Sequence, residues 1–234
     1  FDPISHDEYC GVFAFLNNTF EARSPVFTAR QQEEIAAIQD PFGNAVHTSL
    51  ATDLAAKTVL ITGMGPIGLC AISVAKRCGA TEVYVTDVSE YRLDLAKRLG
   101  ADLAINPTEE DPVAAVRDAT GGLGADVLLE MSGNPTAIRQ GFQALRKAGF
   151  ASLLGIPSKP MEIDLANDII FRSLTVQGIN GRRMFDTWYQ ARALLKAGID
   201  IMPVITHRMS LWDDLDKGME LMMSGKCGKV ILYP

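Results

Sequence analysis

From Thr58 onward the chain alternates short runs of β-branched and aliphatic residues with longer stretches in which apolar residues recur every three or four positions. That alternation predicts repeated strand–helix–strand units and a mostly parallel sheet. Six strands are predicted: Thr58–Thr62, Glu82–Thr86, Leu103–Asn106, Val127–Glu130, Ala151–Leu154 and Leu174–Gly178. Between the second and third, Ser89 can cap a helix that carries Tyr91, Leu95 and Leu99 on one face, with Gly100 placed to end it. Further crossover helices are predicted over Gly65–Cys78, Asp111–Ala119 and Pro135–Lys147, each closed by a glycine within a few residues.

Six strands with helices between them predict an α/β fold of the Rossmann kind, a doubly wound parallel sheet with strand order 3-2-1-4-5-6 and right-handed crossovers. After the sixth strand the pattern predicts a helix over Phe185–Ala197, a second over Leu211–Ser224 and a strand at Lys229–Leu232. In the Leu211 helix Ser210 and Asp213 form a capping box, and Trp212, Leu215, Met219 and Met222 form the stripe expected to be buried. Ahead of the sheet, Phe1–Arg30 has no clean period, whereas Gln31–Leu54 predicts two helical stretches interrupted at Pro41–Gly43.

Composition narrows the class. The 234 residues are 47% hydrophobic and 21% charged, enough to bury a core in one large or two small domains. The net charge is −6, and the Lys and Arg residues form no basic stripe, so a nucleic-acid partner is not expected. Cys10, Cys70, Cys78 and Cys227 lie far apart without C-x-x-C spacing, which predicts no disulfide framework and fits a reducing cytoplasm. Thr58–Ala75 is uncharged and long enough to imitate a membrane span, but Gly63, Gly65, Pro66 and Gly68 break it into strand, turn and helix, so no membrane association is expected.

Chemistry enters at Val59-Leu60-Ile61-Thr62-Gly63-Met64-Gly65-Pro66-Ile67-Gly68, a hydrophobic strand running into G-x-G-x-x-G and then a helix. Gly63 permits the tight turn, Gly65 lets the backbone approach a pyrophosphate, and Gly68 allows helix to pack on strand. The helix N-terminus then offers free N–H groups to phosphate oxygens, and Pro66 in its first turn forfeits no bond. Asp87 ends the second strand, where a carboxylate accepts hydrogen bonds from the ribose hydroxyls and repels a 2′-phosphate. NAD is therefore favoured over NADP. Arg92, five residues later, tempers that preference because its guanidinium could neutralise a phosphate; it is read instead as covering the adenine edge.

Several stretches together resemble the L-threonine 3-dehydrogenases, a family within the zinc-containing medium-chain dehydrogenases. They are Asp40-Pro41-Phe42-Gly43-Asn44-Ala45-Val46-His47-Thr48, Thr86 to Arg92, Glu130-Met131-Ser132-Gly133, Leu154-Gly155-Ile156-Pro157, Gly181-Arg182, Met184 to Tyr189, and Ile205 to Arg208. The resemblance implies that Ile67, Asp87 and Arg92 contact NAD at its pyrophosphate and adenosine end. It implies that Leu154, Gly155 and Ile156 line the nicotinamide side, with Ile179 and Asn180 closing over it. Asn180 stands where the family carries an aromatic residue. The implied reaction is oxidation of the threonine 3-hydroxyl, or that of a related small amino acid or alcohol, with NAD as acceptor, giving 2-amino-3-ketobutyrate from threonine. The implied assembly is a homo-oligomer joined along the sixth strand.

The same resemblance implies a catalytic zinc held by a cysteine, a His-Glu pair and an acidic residue matching Asp40. Of these positions only Asp40 can be placed, and only 39 residues precede it. The expectation is a chain without most of its catalytic domain: 1–54 a remnant of that domain, 55–200 the NAD-binding unit, and 201–234 a C-terminal return to the remnant. Val12, Phe13, Phe15 and Phe20 would pack on the C-terminal stripe. His6, Asp7, Glu8 and Cys10 offer metal-binding atoms, but their composition is that of an ordinary exposed turn. His47 and His207 are read as structural. The alternative reading is a noncatalytic NAD-sensing or oligomerisation module; a third is a working metal dehydrogenase on a shortened scaffold.

Overall fold

The computed structural model describes residues 41–233. Asp40, the histidine and cysteine near the N-terminus, and the first helical stretch after Gln31 lie outside the described residues. Within them, helix α1 (Gly43–Ser49) precedes an alternation of strand β1 (Thr58–Thr62), α2 (Pro66–Arg77), β2 (Glu82–Thr86), α3 (Glu90–Arg98), β3 (Leu103–Ile105), α4 (Pro112–Ala119), β4 (Ala125–Glu130), α5 (Pro135–Ala144) and β5 (Leu145–Leu153). A short π-helix at Leu165–Ile170 leads into β6 (Thr175–Gly178) and α6 (Asp186–Lys196). A 3-10 turn at Met202–Val204, β7 (Ile205–Ser210), α7 (Leu215–Ser224) and β8 (Lys229–Tyr233) complete the described chain.

The sheet is parallel throughout, in the order β3-β2-β1-β4-β5-β6, as the alternation predicts. The central strands are sandwiched between two helical layers. Val59 and Ile61 of β1 join Leu69, Ile72, Leu93 and Leu95 in one core, and Leu60 joins Leu128, Ile138 and Phe142 in the other. Successive strand residues point to opposite faces, so an unbroken apolar run is what burial on both sides requires. Ser89, Asp111 and Asn134 cap α3, α4 and α5 with their side-chain oxygens.

Several boundaries differ from the sequence reading. Phe42 already has helical φ and ψ and Gly43 opens α1, so these two residues are helical backbone, while the predicted stretch before them lies outside the described residues. The fourth crossover helix, α5, stops at Ala144 rather than Lys147, because Leu145 pairs with Ala125 while Arg146 donates to Asp126 at 2.5 Å. The strand then bulges through Ala148, at φ +57°, before Phe150 resumes pairing opposite Val127. In α3 the buried face is Leu93, Leu95 and Ala96, and Tyr91 is exposed. The π-helix and β7, which pairs with β8 in a two-stranded parallel sheet, were not predicted.

The last helix departs most. Ser210 and Asp213 do bond each other, but they close a turn, and α7 begins only at Leu215. The predicted stripe is outward: Trp212 is 78% exposed, and Leu215, Met219 and Met222 are exposed too. The reason lies at Gly218, the buried residue of α7, where a Cβ would stand 3.5 Å from Leu232 and 3.7 Å from Val230. The small face of the helix, not its large apolar face, is the one laid on β7 and β8.

Leu128, fully buried on the central strand β4 against Gly141 of α5, tests the two-layer core. Leu128→Ala is expected to cost about 2–5 kcal/mol in denaturant titration. Leu123→Ala, at an exposed turn, should stay within about 0.5 kcal/mol of wild type.

Candidate functional site

The parallel register sets the level of the site. Ile105, Thr86, Thr62, Glu130, Leu153 and Gly178 lie side by side across the sheet at the C-terminal ends of their strands. The ladder runs one residue further at each strand. Gly63 N–H donates to Thr86 at 2.8 Å, Met131 N–H to Thr62 at 2.9 Å, Leu154 N–H to Glu130 at 2.9 Å, and Ile179 N–H to Leu153 at 2.8 Å. Asp87 N–H reaches Ile105 at 3.3 Å. Gly63, Asp87, Leu154 and Ile179, four of the predicted cofactor residues, are therefore first residues past the sheet in one row. Their crevice straddles β1 and β4, where the strand order reverses, which is where open α/β sheets bind ligands.

The three fingerprint glycines are needed for three different reasons. Gly63 has φ +85°, and a Cβ there would lie 2.8 Å from the Ser132 backbone. A Cβ on Gly68 would sit 1.9 Å from the Gly63 carbonyl oxygen, so α2 could not seat itself on the exit of β1. Gly65 is different: among the described residues a Cβ there would meet no atom within 4 Å. No described residue demands glycine at that position, and the open space left above it suits a group that must approach the backbone closely. The N-terminus of α2 has Pro66 at its start and no side-chain cap. Its N–H groups and positive dipole end face the same space, with Ile67 in the first turn.

The Asp87 carboxylate is tied down by backbone. One oxygen accepts the Met64 N–H at 2.6 Å and the other the Ser89 N–H at 2.8 Å. The end of β2 thus orders the glycine loop. Arg92 does not hang free over the adenosine end: its Nε donates to the Cys227 carbonyl at 3.1 Å, while Ser89 Oγ donates to Gly225 at 2.7 Å. The segment between α7 and β8 is strapped to the N-terminus of α3 by these two bonds.

Beside the glycine loop lies a residue not assigned a role from the sequence. Glu130 is completely buried. Its Oε1 accepts from Thr62 Oγ1 at 3.2 Å, Ser132 N–H at 2.9 Å, Gly133 N–H at 3.1 Å and the Ser132 hydroxyl. Its backbone carbonyl takes the N–H groups of Leu154 and Gly155. Burial pushes the Glu130 carboxyl above its ordinary pKa, and the donors from Ser132, Gly133 and Thr62 offset part of that rise. Loop packing here is as tight as at the fingerprint: a Cβ on Gly155 would fall 2.2 Å from Gly133 N and 2.5 Å from Glu130 Oε2.

A family model described as zinc-binding dehydrogenase matches residues 66–197. The chain belongs to the zinc-binding dehydrogenase family. The L-threonine 3-dehydrogenase of Symbiobacterium thermophilum is 57% identical over 203 residues, 86% of this chain and 58% of that enzyme. The chain thus spans less than two thirds of the length of such relatives. Among solved structures, an alcohol dehydrogenase from Thermotoga maritima superposes with a TM-score of 0.77 at 33% identity, over 85% of this chain and 56% of its own. A short-chain alcohol dehydrogenase from E. coli CFT073, solved in complex with NADH, gives 0.73 at 25% identity, over 84% and 58%.

The remaining residues singled out by the zinc-binding dehydrogenase resemblance fall into two groups. Ile179 is buried and Asn180 exposed at the exit of β6, and Ile156 is 87% exposed beyond β5. His47 Nδ1 bonds the Gly181 carbonyl at 2.7 Å, and Gly43, one helical turn earlier, lies under the Arg182 side chain. One face of α1 thereby holds the loop that follows β6. His207 Nδ1 bonds Thr206 Oγ1 at 2.9 Å, within the β7 edge. Asp40 lies outside the described residues, and among those described no three His, Cys, Asp or Glu side chains converge as a metal site would need. Among the described residues no ligand set fits a zinc ion. The signal for Glu130 was present in the sequence as a carboxylate closing the apolar run Val127–Leu129 and followed by Met-Ser-Gly.

Two outcomes test this geometry. Gly68→Ala should lower stability by about 1–3 kcal/mol in denaturant titration, since its Cβ cannot be placed without moving α2. For Glu130 the raised pKa means that the folded state binds the proton more tightly than the unfolded chain. Its contribution to stability is therefore full below the unfolded value of about 4.3 and is lost as pH rises through the folded one. Glu130→Gln should accordingly gain in Tm relative to wild type as pH is raised from about 4 to about 8, followed by thermal unfolding.

Proposed function

We propose that this chain is the cofactor-binding part of an NAD-dependent oxidoreductase acting on L-threonine or a closely related amino alcohol. The observation that carries the reading is the single row at the sheet edge. Gly63, Gly65 and Gly68 open onto an uncapped helix N-terminus there, and the Asp87 carboxylate stands beside them. The 57% identity to a threonine dehydrogenase supports the substrate class.

In this reading the α2 N–H groups and Ile67 hold the pyrophosphate, and Asp87 accepts from the adenosine ribose hydroxyls. Arg92 covers the adenine edge. Leu154, Gly155 and Ile156 wall the nicotinamide side, with Ile179 and Asn180 on its other flank. Bound NAD supplies the hydride acceptor; the protein's part is to orient the ring and keep water from it. Asp40 is the one position that matches the family's acidic metal position. The nucleotide fold is assigned to 55–200, with the segments before and after it counted outside that fold, and the protein works in the cytoplasm.

A second reading is supported by one observation. β6 is an edge strand; Val176 on it is exposed, and so are Ile170 and Phe171 just before it, Phe171 by 73%. Such an edge suits pairing with a second copy, and a noncatalytic NAD-sensing or assembly module would use it.

Calorimetry decides the first point: wild type should bind NAD, and Asp87→Ala should weaken binding on the order of 10- to 100-fold, the worth of a charged hydrogen-bond pair. No binding by wild type would end the reading. Threonine-dependent NADH formation separates the enzyme from the noncatalytic module, which would bind NAD and turn over nothing.

A further inference from the structure

We propose that Glu130 biases the site toward the oxidised cofactor, its buried carboxylate favouring the positively charged nicotinamide of NAD⁺ over the neutral ring of NADH. The inference rests on the NAD reading above. Its basis is where the charge sits and what surrounds it. Glu130 is the last residue of β4, on the strand next to the glycine loop and within the row from which all the cofactor-facing loops depart. Every hydrogen-bond partner of its side chain is neutral: the hydroxyls of Thr62 and Ser132 and the N–H groups of Ser132 and Gly133. Backbone N–H groups can only donate, so these partners favour the ionised form against the burial that opposes it. These dipoles make a carboxylate tolerable in the interior without neutralising it.

The carboxylate lies directly behind Gly155. Glycine is required there because any side chain would collide with Glu130 Oε2 and with Gly133 N. Gly155 and its neighbours Leu154 and Ile156 are the residues assigned to the nicotinamide side. In that assignment the Gly155 backbone lies between the buried charge and the ring. A negative charge in a site of reduced dielectric attracts a ligand cation and is indifferent to a neutral ring of the same shape. The two redox forms of the cofactor differ in that one charge, so Glu130 contributes to the ratio of their affinities rather than to affinity as such. For a pair several ångströms apart at the dielectric usual for protein sites, the contribution is on the order of tenfold.

The test is a pair of dissociation constants, for NAD⁺ and for NADH, measured by calorimetry on the full chain and on three variants. Glu130→Gln removes the charge and keeps an acceptor at Oε1. Glu130→Met removes the charge and the hydrogen bonds, and carries the same expectation should the glutamine variant fail to fold. Glu130→Asp keeps the charge. In the neutral variants the preference for NAD⁺ relative to NADH should fall on the order of tenfold; in the aspartate variant it should stay within about twofold of wild type. Equal losses for both redox forms in the neutral variants would overturn the proposal and leave Glu130 as a purely structural tie. So would an aspartate variant that shifts the ratio as far as glutamine does. Wild type binding neither form would instead remove the NAD reading on which this one stands.

Discussion

The parallel register at the C-terminal edge is the constraint from which the site follows. Because Thr62 lies opposite both Thr86 and Glu130, and Glu130 opposite Leu153, the loops after β1, β2, β4 and β5 leave the sheet at one height. Each first loop residue is still bonded to the neighbouring strand. A one-residue slip in any pairing would reverse which face its side chains take and lift one wall of the crevice out of line. The apolar layers on both faces prevent that slip, so the hydrophobic core is also what aligns the site.

At that edge the backbone comes closer to itself than side chains permit. Gly68 rests on Gly63, Gly63 on Ser132, and Gly155 on Gly133. The contacts form a continuous path from the helix that would meet the pyrophosphate to the loop that would meet the nicotinamide. Glu130 sits at its centre and supplies acceptors to N–H groups that the strands no longer pair. A buried carboxylate is costly to the fold, and here that cost is offset by hydrogen bonds that tie the loop after β4 to the end of β1.

How much of this could be read from residues alone depended on the range of the interaction. The six strands and the fingerprint are local: Val59–Thr62 is unbroken because both its faces are buried, and Gly63 is glycine because of its own φ. The strap from Ser89 and Arg92 to Gly225 and Cys227 joins residues more than 130 positions apart, and nothing at either end announces the other. The start of β5 was hidden because Leu145 continues a helical period, and only its pairing with Ala125 makes it strand. For Trp212, Leu215, Met219 and Met222 the period identified a real apolar face correctly. A period says that a face is apolar but not which face its neighbours use, and Gly218 offered the closer fit.

The strap has a thermodynamic corollary. Arg92 and Ser89 stand next to Asp87, yet they are also what attaches the β7–β8 unit to the nucleotide fold. In the proposed reading two equilibria share this corner: nucleotide binding beside Asp87 and docking of the C-terminal unit. Linkage makes any influence between them reciprocal. If a nucleotide stiffens this corner, the C-terminal strands are held more firmly by the same factor, and whatever grips those strands returns that factor to the nucleotide.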